Sequence, residues 1–221
     1  MRRCAGFSGE NPNVGRAQDA LNQIVAAGHR ASDVVANIRA MFRKDAQEKA
    51  PVDLNKLIRS VLGLVYMDLR KRSIGTELHL GEHLPPVIGN EVQLQQVILN
   101  LVMNAIEAMS ATEPRVLSIK SARTVQKTVY VSIEDTGSGI DLSNMDSIFK
   151  PLFTTKARGM GMGLSICRSI IESHGGRIWA SSGASRGSIF QFELPVGVPS
   201  TNSTSPSAAN ARGAAQDAIP A

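Results

Sequence analysis

What the 221-residue sequence lacks narrows the possibilities first. It has two cysteines, Cys4 and Cys167, too few for a disulfide framework and without metal-site spacing, so both are expected as free thiols. Aromatic residues make up only 4% of the chain, with one tryptophan, and the basic residues form no stripe. Nucleic-acid binding, which relies on a basic surface interleaved with stacking platforms, is therefore not expected. No run approaches the roughly 18 to 20 apolar residues of a membrane-spanning helix. The basic start MRRCAGFSGENPN has no apolar stretch behind it, as a secretory signal would. A cytoplasmic, unprocessed chain is the expectation. Neither sign of charge dominates, with 24 lysines and arginines against 19 acidic residues.

What is present is a globular composition, 43% hydrophobic, of a length that suits one good core plus an appendage. Leu21, Ile24, Gly28, Ala31, Val35, Ile38 and Phe42 step by threes and fours, the seam of a bundle helix that needs a partner. The organisation predicted is a disordered N-terminus over 1–13, a partial dimerisation helix over 14–50, a core domain over 51–197 and a polar, disordered tail over 198–221. Within the core, Asp53 caps a helix reaching about Arg72, and Asn90 opens a long helix ending near Ser110. Another helix runs over 163–173, stopped by Gly175 and Gly176. Strands are expected over 74–80, 85–88, 116–122, 128–134, 178–181 and 188–194, with the middle two as an antiparallel pair and the last two as a final strand pair. Helices in a block among such strands predict an α+β sandwich.

Three constellations carry chemistry. In the helix after Asn90, Gln93, Asn100, Asn104 and Glu107 form one polar stripe on an otherwise apolar cylinder. Asparagine disfavours helix interiors because its amide competes for backbone partners, so two of them one turn apart ask for a reason beyond a solvated face. Next, Asp135 at a strand end is followed by Gly137 and Gly139, an acceptor-only carboxylate beside glycines that let a flat ligand approach; the same pattern also serves as a simple turn. Finally, Lys156 and the glycines at 159, 161 and 163 lead into a helix N-terminus, where exposed N–H groups favour phosphate. The loop is neither a Walker nor a Rossmann motif, and a mobile surface loop is the plainer alternative.

In order and spacing, N-L-V-M-N-A at 100–105, D-T-G-S-G at 135–139, F-K-P-L-F-T-T-K at 149–156 and G-M-G-M-G-L at 159–164 resemble the N, G1, F and G2 boxes of sensor histidine kinases. The resemblance covers about residues 15–197, including H-G-G-R-I at 174–178, and lies nearest the oxygen-sensor-like kinases whose N box ends N-A-x-E-A-M. It implies a two-layer sandwich with a mixed sheet, the Bergerat-type ATP fold, and ATP with Mg²⁺ as cofactors. On that resemblance Asp135 reads adenine, Asn104 holds the metal, and Asn100, Asn104 and Lys156 form the catalytic set. Residues 149–163 are the ATP lid. Gly137, Gly139 and Ile140, with Phe153, Thr154 and Thr155, and then Gly159, Gly161, Gly163 and Leu164, complete the nucleotide contacts.

The sequence departs from the family in places. Gly89-Asn90 stands where Gly-Asp is usual, and Met160 and Met162 stand where Thr and Leu are frequent. None of the four histidines matches the acceptor motif: His29 lies on what resembles the second bundle helix, His79 and His83 flank a strand, and His174 reads as a helix C-terminal cap. The acceptor is therefore expected in trans, or on a longer protein of which this chain is a fragment. The other expected partners are a response regulator and a homodimer or bundle partner through 15–45. Two alternatives stand beside the kinase: a related ATPase, which would carry a water-activating glutamate where this chain has Asn100, and a nucleotide-binding module without turnover.

Overall fold

A computed structural model of the protein describes residues 49–156, 160–183 and 186–197. The expected bundle helix, the N-terminal segment, the tail, Cys4, His29 and Gly159 lie outside the described residues. Strand β1 (Ala50–Val52) is followed by α1 (Leu54–Leu64), α2 (Tyr66–Lys71), β2 (Gly75–Leu80), β3 (Val87–Gly89) and α3 (Glu91–Ala108). Then come β4 (Val116–Arg123), β5 (Thr128–Asp135), a 3₁₀ turn (Leu142–Asn144), α4 (Gly163–Ser173), β6 (Arg177–Ser182) and β7 (Ser188–Pro195).

Period-two alternation drives the main sheet. Val129, Val131 and Ile133 of β5 and Phe190, Phe192 and Leu194 of β7 are buried, and they face the helices. The intervening Tyr130 and Gln191 lie on the other face, where the Tyr130 hydroxyl donates to Gln191 Oε1 at 2.8 Å. The strand order is β2-β4-β5-β7-β6. β2 runs parallel to β4 while the other three pairings are antiparallel, so the sheet is mixed and the expected α+β sandwich is what forms.

Helix α3 is the central element of the helical layer. Leu94, Val97, Ile98, Leu101, Val102, Ala105 and Ile106 are all buried, and each large side chain fully removed from water contributes about 1.5 to 3 kcal/mol before entropy is subtracted. Asn90 caps the helix as expected, its Oδ1 accepting the Gln93 N–H at 3.0 Å, so asparagine replaces the more usual aspartate without loss of the cap.

Two features differ from the pattern-based reading. The helix expected from Asp53 to about Arg72 breaks at Val65, which closes α1 and opens α2. The break lets Val65, Leu69 and Ile74 all stay buried as the chain turns toward β2. Strand β1 was not anticipated: it pairs antiparallel with β3, setting Val52 opposite Val87, and Val87 in turn bridges to Val196.

His174, expected as a helix cap, is only 5% exposed. Its Nδ1 lies 2.7 Å from the Ile170 carbonyl, and its Nε2 accepts the Asn90 N–H at 3.0 Å. Together these bonds require the neutral, Nδ1-protonated ring. The residue does cap α4, but it also ties that end to the start of α3, in space left by the missing side chain of Gly89. Burial holds its pKa below the ordinary 6.5, against the Ile170 carbonyl, which works the other way. A depressed histidine means that the unfolded chain binds the proton first. This contribution to stability is therefore complete above about pH 6.5 and is lost as pH falls toward the folded pKa, at no more than about 1.4 kcal/mol per pH unit. Urea denaturation between about pH 7.5 and pH 5.5 should show that slope, flattened in His174→Gln, whose amide oxygen can still accept from Asn90. Equal slopes in the two proteins would contradict the assignment.

Candidate functional site

The polar stripe of α3 faces the loop that joins β5 to α4. Asn104 is half-buried and Glu107 exposed. Lys156, 52 residues beyond Asn104, reaches back so that its Nζ lies 2.8 Å from Asn104 Oδ1. The same ammonium forms an ion pair with Glu107. Asn100 sits one turn earlier, beside Cys167 of α4. Its amide nitrogen is shielded from solvent beside the Cys167 sulfur. Cys167 is fully buried, and burial pushes its thiol up to about 12, which keeps it an inert core residue.

At the end of β5, Asp135 is buried. Its Oδ1 accepts the Gly137 N–H at 2.8 Å, and Ser188 of β7 bonds to the same carboxylate through its N–H and hydroxyl. Burial nevertheless outweighs these bonds and raises the carboxyl above its ordinary value. The glycine turn then packs directly on the last turn of α3: Ser138 N–H donates to the Ala108 carbonyl at 3.2 Å, and a Cβ on Gly137 would come within 2.6 Å of that carbonyl. Only glycine lets the segment after Asp135 lie this close to the stripe. Gly187, at φ +83°, is equally confined, because a side chain there would run into the Asp135 carbonyl.

Beyond the turn, Ile140, Phe153 and Leu164 are half-buried against the core, whereas Thr154, Thr155 and Lys156 are exposed. The Thr154 hydroxyl accepts the Lys156 N–H at 3.1 Å and shapes the backbone that presents the lysine. Gly161, at φ +67°, stacks on the backbone of Leu152 and Phe153, so the F segment and the glycine segment lie against each other. Gly163 opens α4, whose N-cap is Met162, and no side chain caps the helix. Its first amides are left for another acceptor.

The fold thus brings together Asn104, Lys156 and the Asp135–Gly137 turn, with Gly139, Gly161 and Gly163 in the connecting segments. Two participants were not among the expected site residues. Glu107 had a signal, its place on the stripe three residues after Asn104. Ser188 had none, because its contact with Asp135 is made by strand pairing across 53 residues of sequence.

Residues 89–198 match the family described as histidine kinase-, DNA gyrase B-, and HSP90-like ATPase. The sensor protein FixL of Bradyrhizobium diazoefficiens is 37% identical over 195 residues, 88% of this chain and 38% of that protein. The sensor histidine kinase ZraS of Escherichia coli is 34% identical over 192 residues, 87% of this chain and 41% of that protein. The chain therefore spans less than half the length of these relatives. Among solved structures, the nucleotide-free catalytic domain of histidine kinase ThkA is 38% identical with a TM-score of 0.62, the match covering 68% of this chain and 97% of that one. ThkA in complex with response regulator protein TrrA is 33% identical with a TM-score of 0.70, covering 85% of this chain and 53% of that one. With nearly the whole of a histidine kinase catalytic domain matched at this identity, inside the ATPase family, the chain belongs to the sensor histidine kinases and contains their ATP-binding catalytic domain.

Proposed function

We propose that this chain binds ATP with Mg²⁺ and transfers the γ-phosphate to a histidine carried on another segment, as the phosphotransfer part of a two-component system. One observation carries the reading: Asn104 Oδ1 already receives a cation, the Lys156 ammonium, which stands in for the metal. Mg²⁺ takes oxygen ligands and needs only one or two from protein, and the Asn104 amide oxygen can serve as one. The close packing of Gly137 on the last turn of α3 sets the Asp135 carboxylate beside the stripe, where an acceptor for an exocyclic amine is needed.

When bound, Mg²⁺ and ATP supply the phosphoryl group and much of the charge neutralisation its transfer needs. The chain's own residues position and stabilise. Asp135 accepts a hydrogen bond from an exocyclic amine, Asn104 holds the metal, and Lys156 neutralises phosphate oxygens once released from α3. The uncapped amides at the start of α4 are donors for phosphate oxygens. Nothing at the Asn100 position can take a proton from water, so the related ATPase chemistry is disfavoured. Slow release of inorganic phosphate by the chain with Mg²⁺ and ATP is expected; rapid steady-state release would favour the ATPase instead.

A response regulator as the downstream partner is supported by the likeness to ThkA, solved with the response regulator protein TrrA. Pairing through residues 15–45 and a cytoplasmic location are part of the same reading. Among the described residues, no helix is long and apolar enough to cross a membrane.

A further inference from the structure

We propose that Glu107 is a positioning residue that latches Lys156 across Asn104 in the nucleotide-free protein, so that the F segment stays on α3 until nucleotide enters. The second half of this statement rests on the ATP reading; the first half does not. Glu107 stands three residues after Asn104, on the same face of α3, and the Lys156 ammonium bridges the two side chains. The lysine is presented by a backbone shaped at Thr154, next to Phe153, which anchors in the core and supports Gly161. A single ammonium thus pins the exposed end of the segment to the stripe.

Charge supplies the logic. A carboxylate at the rim of a polyphosphate site opposes binding by like-charge repulsion, unless it is neutralised. Here Lys156 neutralises it, but the same lysine then covers the oxygen proposed to hold the metal. Two cations on Asn104 Oδ1 repel each other, so the latched arrangement and the metal-bound one compete. Nucleotide binding must break the Glu107–Lys156 pair, and its apparent affinity is lowered by the stability of that pair.

The test is a double-mutant cycle on the nucleotide-free protein, read by amide hydrogen exchange over residues 149–156 and 160–163. The pair is about half exposed on both sides. Such pairs are weak, and E107Q should speed exchange in these segments by about two- to fivefold, with the buried part of α3 unchanged. K156M should do the same, and the double variant should add nothing to either. E107Q should also tighten Mg²⁺-ATP binding by about two- to fivefold in calorimetry. Exchange unchanged in E107Q, effects that add in the double variant, or weaker ATP binding by E107Q would each overturn the latch. If the wild type does not bind ATP while the exchange cycle behaves as stated, the latch stands and the ATP reading falls. If it binds ATP and E107Q changes nothing, the reverse holds.

Discussion

Asp135→Asn is expected to weaken ATP binding by about 1 to 3 kcal/mol, the cost of a buried hydrogen bond left unmade, while the fold survives. The carboxylate is wholly an acceptor, and one oxygen is already committed to the Gly137 N–H. An amide keeps that bond and places its NH₂ where the second oxygen was, facing Ser188 or the ligand amine. The Ser188 hydroxyl can adapt, since it both donates and accepts; the Ser188 N–H and an exocyclic amine, donors only, cannot. The buried position favours the neutral side chain, because burial already penalises the charge. Calorimetric titration with ATP, beside a thermal melt, separates the two effects. Equal affinity in both proteins would remove Asp135 from the nucleotide site.

Asn104→Ala should abolish the Mg²⁺ dependence of nucleotide binding. Leu101 and Ala105, its neighbours on the buried face, carry the packing. Alanine is also the better helix former by about 0.5 kcal/mol, so α3 should not be weakened. Loss of the amide oxygen removes the proposed metal ligand and one of the two partners of Lys156. The phosphates would then be held by Lys156 and backbone amides, with Asp135 still holding the base, and binding would be indifferent to the metal. A Mg²⁺ titration of ATP affinity that matches the wild type, in a folded variant, would return the stripe to an ordinary solvated face.

The elements with sustained periodicity were legible before folding. Eighteen residues of α3 alternate apolar and polar positions clearly enough to show both its core face and its stripe. The strand pairs 116–123 with 128–135 and 177–182 with 188–195 follow from period-two runs separated by short turns. Three residues of β1, with Pro51 in the middle, are too few to show any period, and their pairing with β3 is a tertiary choice. The break at Val65 was hidden because apolar residues continue at helical spacing through it. Position alone marked His174 as a helix C-terminal cap; its burial depends on Gly89, 85 residues earlier, having no side chain. In the site, the box residues could be named individually, but the closure of Lys156 on Glu107 across 49 residues could not.

The central claim is that this chain is a phosphotransfer catalyst for a histidine it does not itself present. Transfer requires an imidazole held in line with the γ-phosphate. His174 is unsuited, since both of its ring nitrogens are engaged in the core. Incubating the purified chain with Mg²⁺ and γ-labelled ATP, alone and with a separate dimerisation hairpin bearing an acceptor histidine, tests this most directly. The expected result is acid-labile, base-stable label on the hairpin and none on the chain. No label on the hairpin despite measurable ATP binding, or label on the chain itself that disappears in His29→Gln, would contradict it.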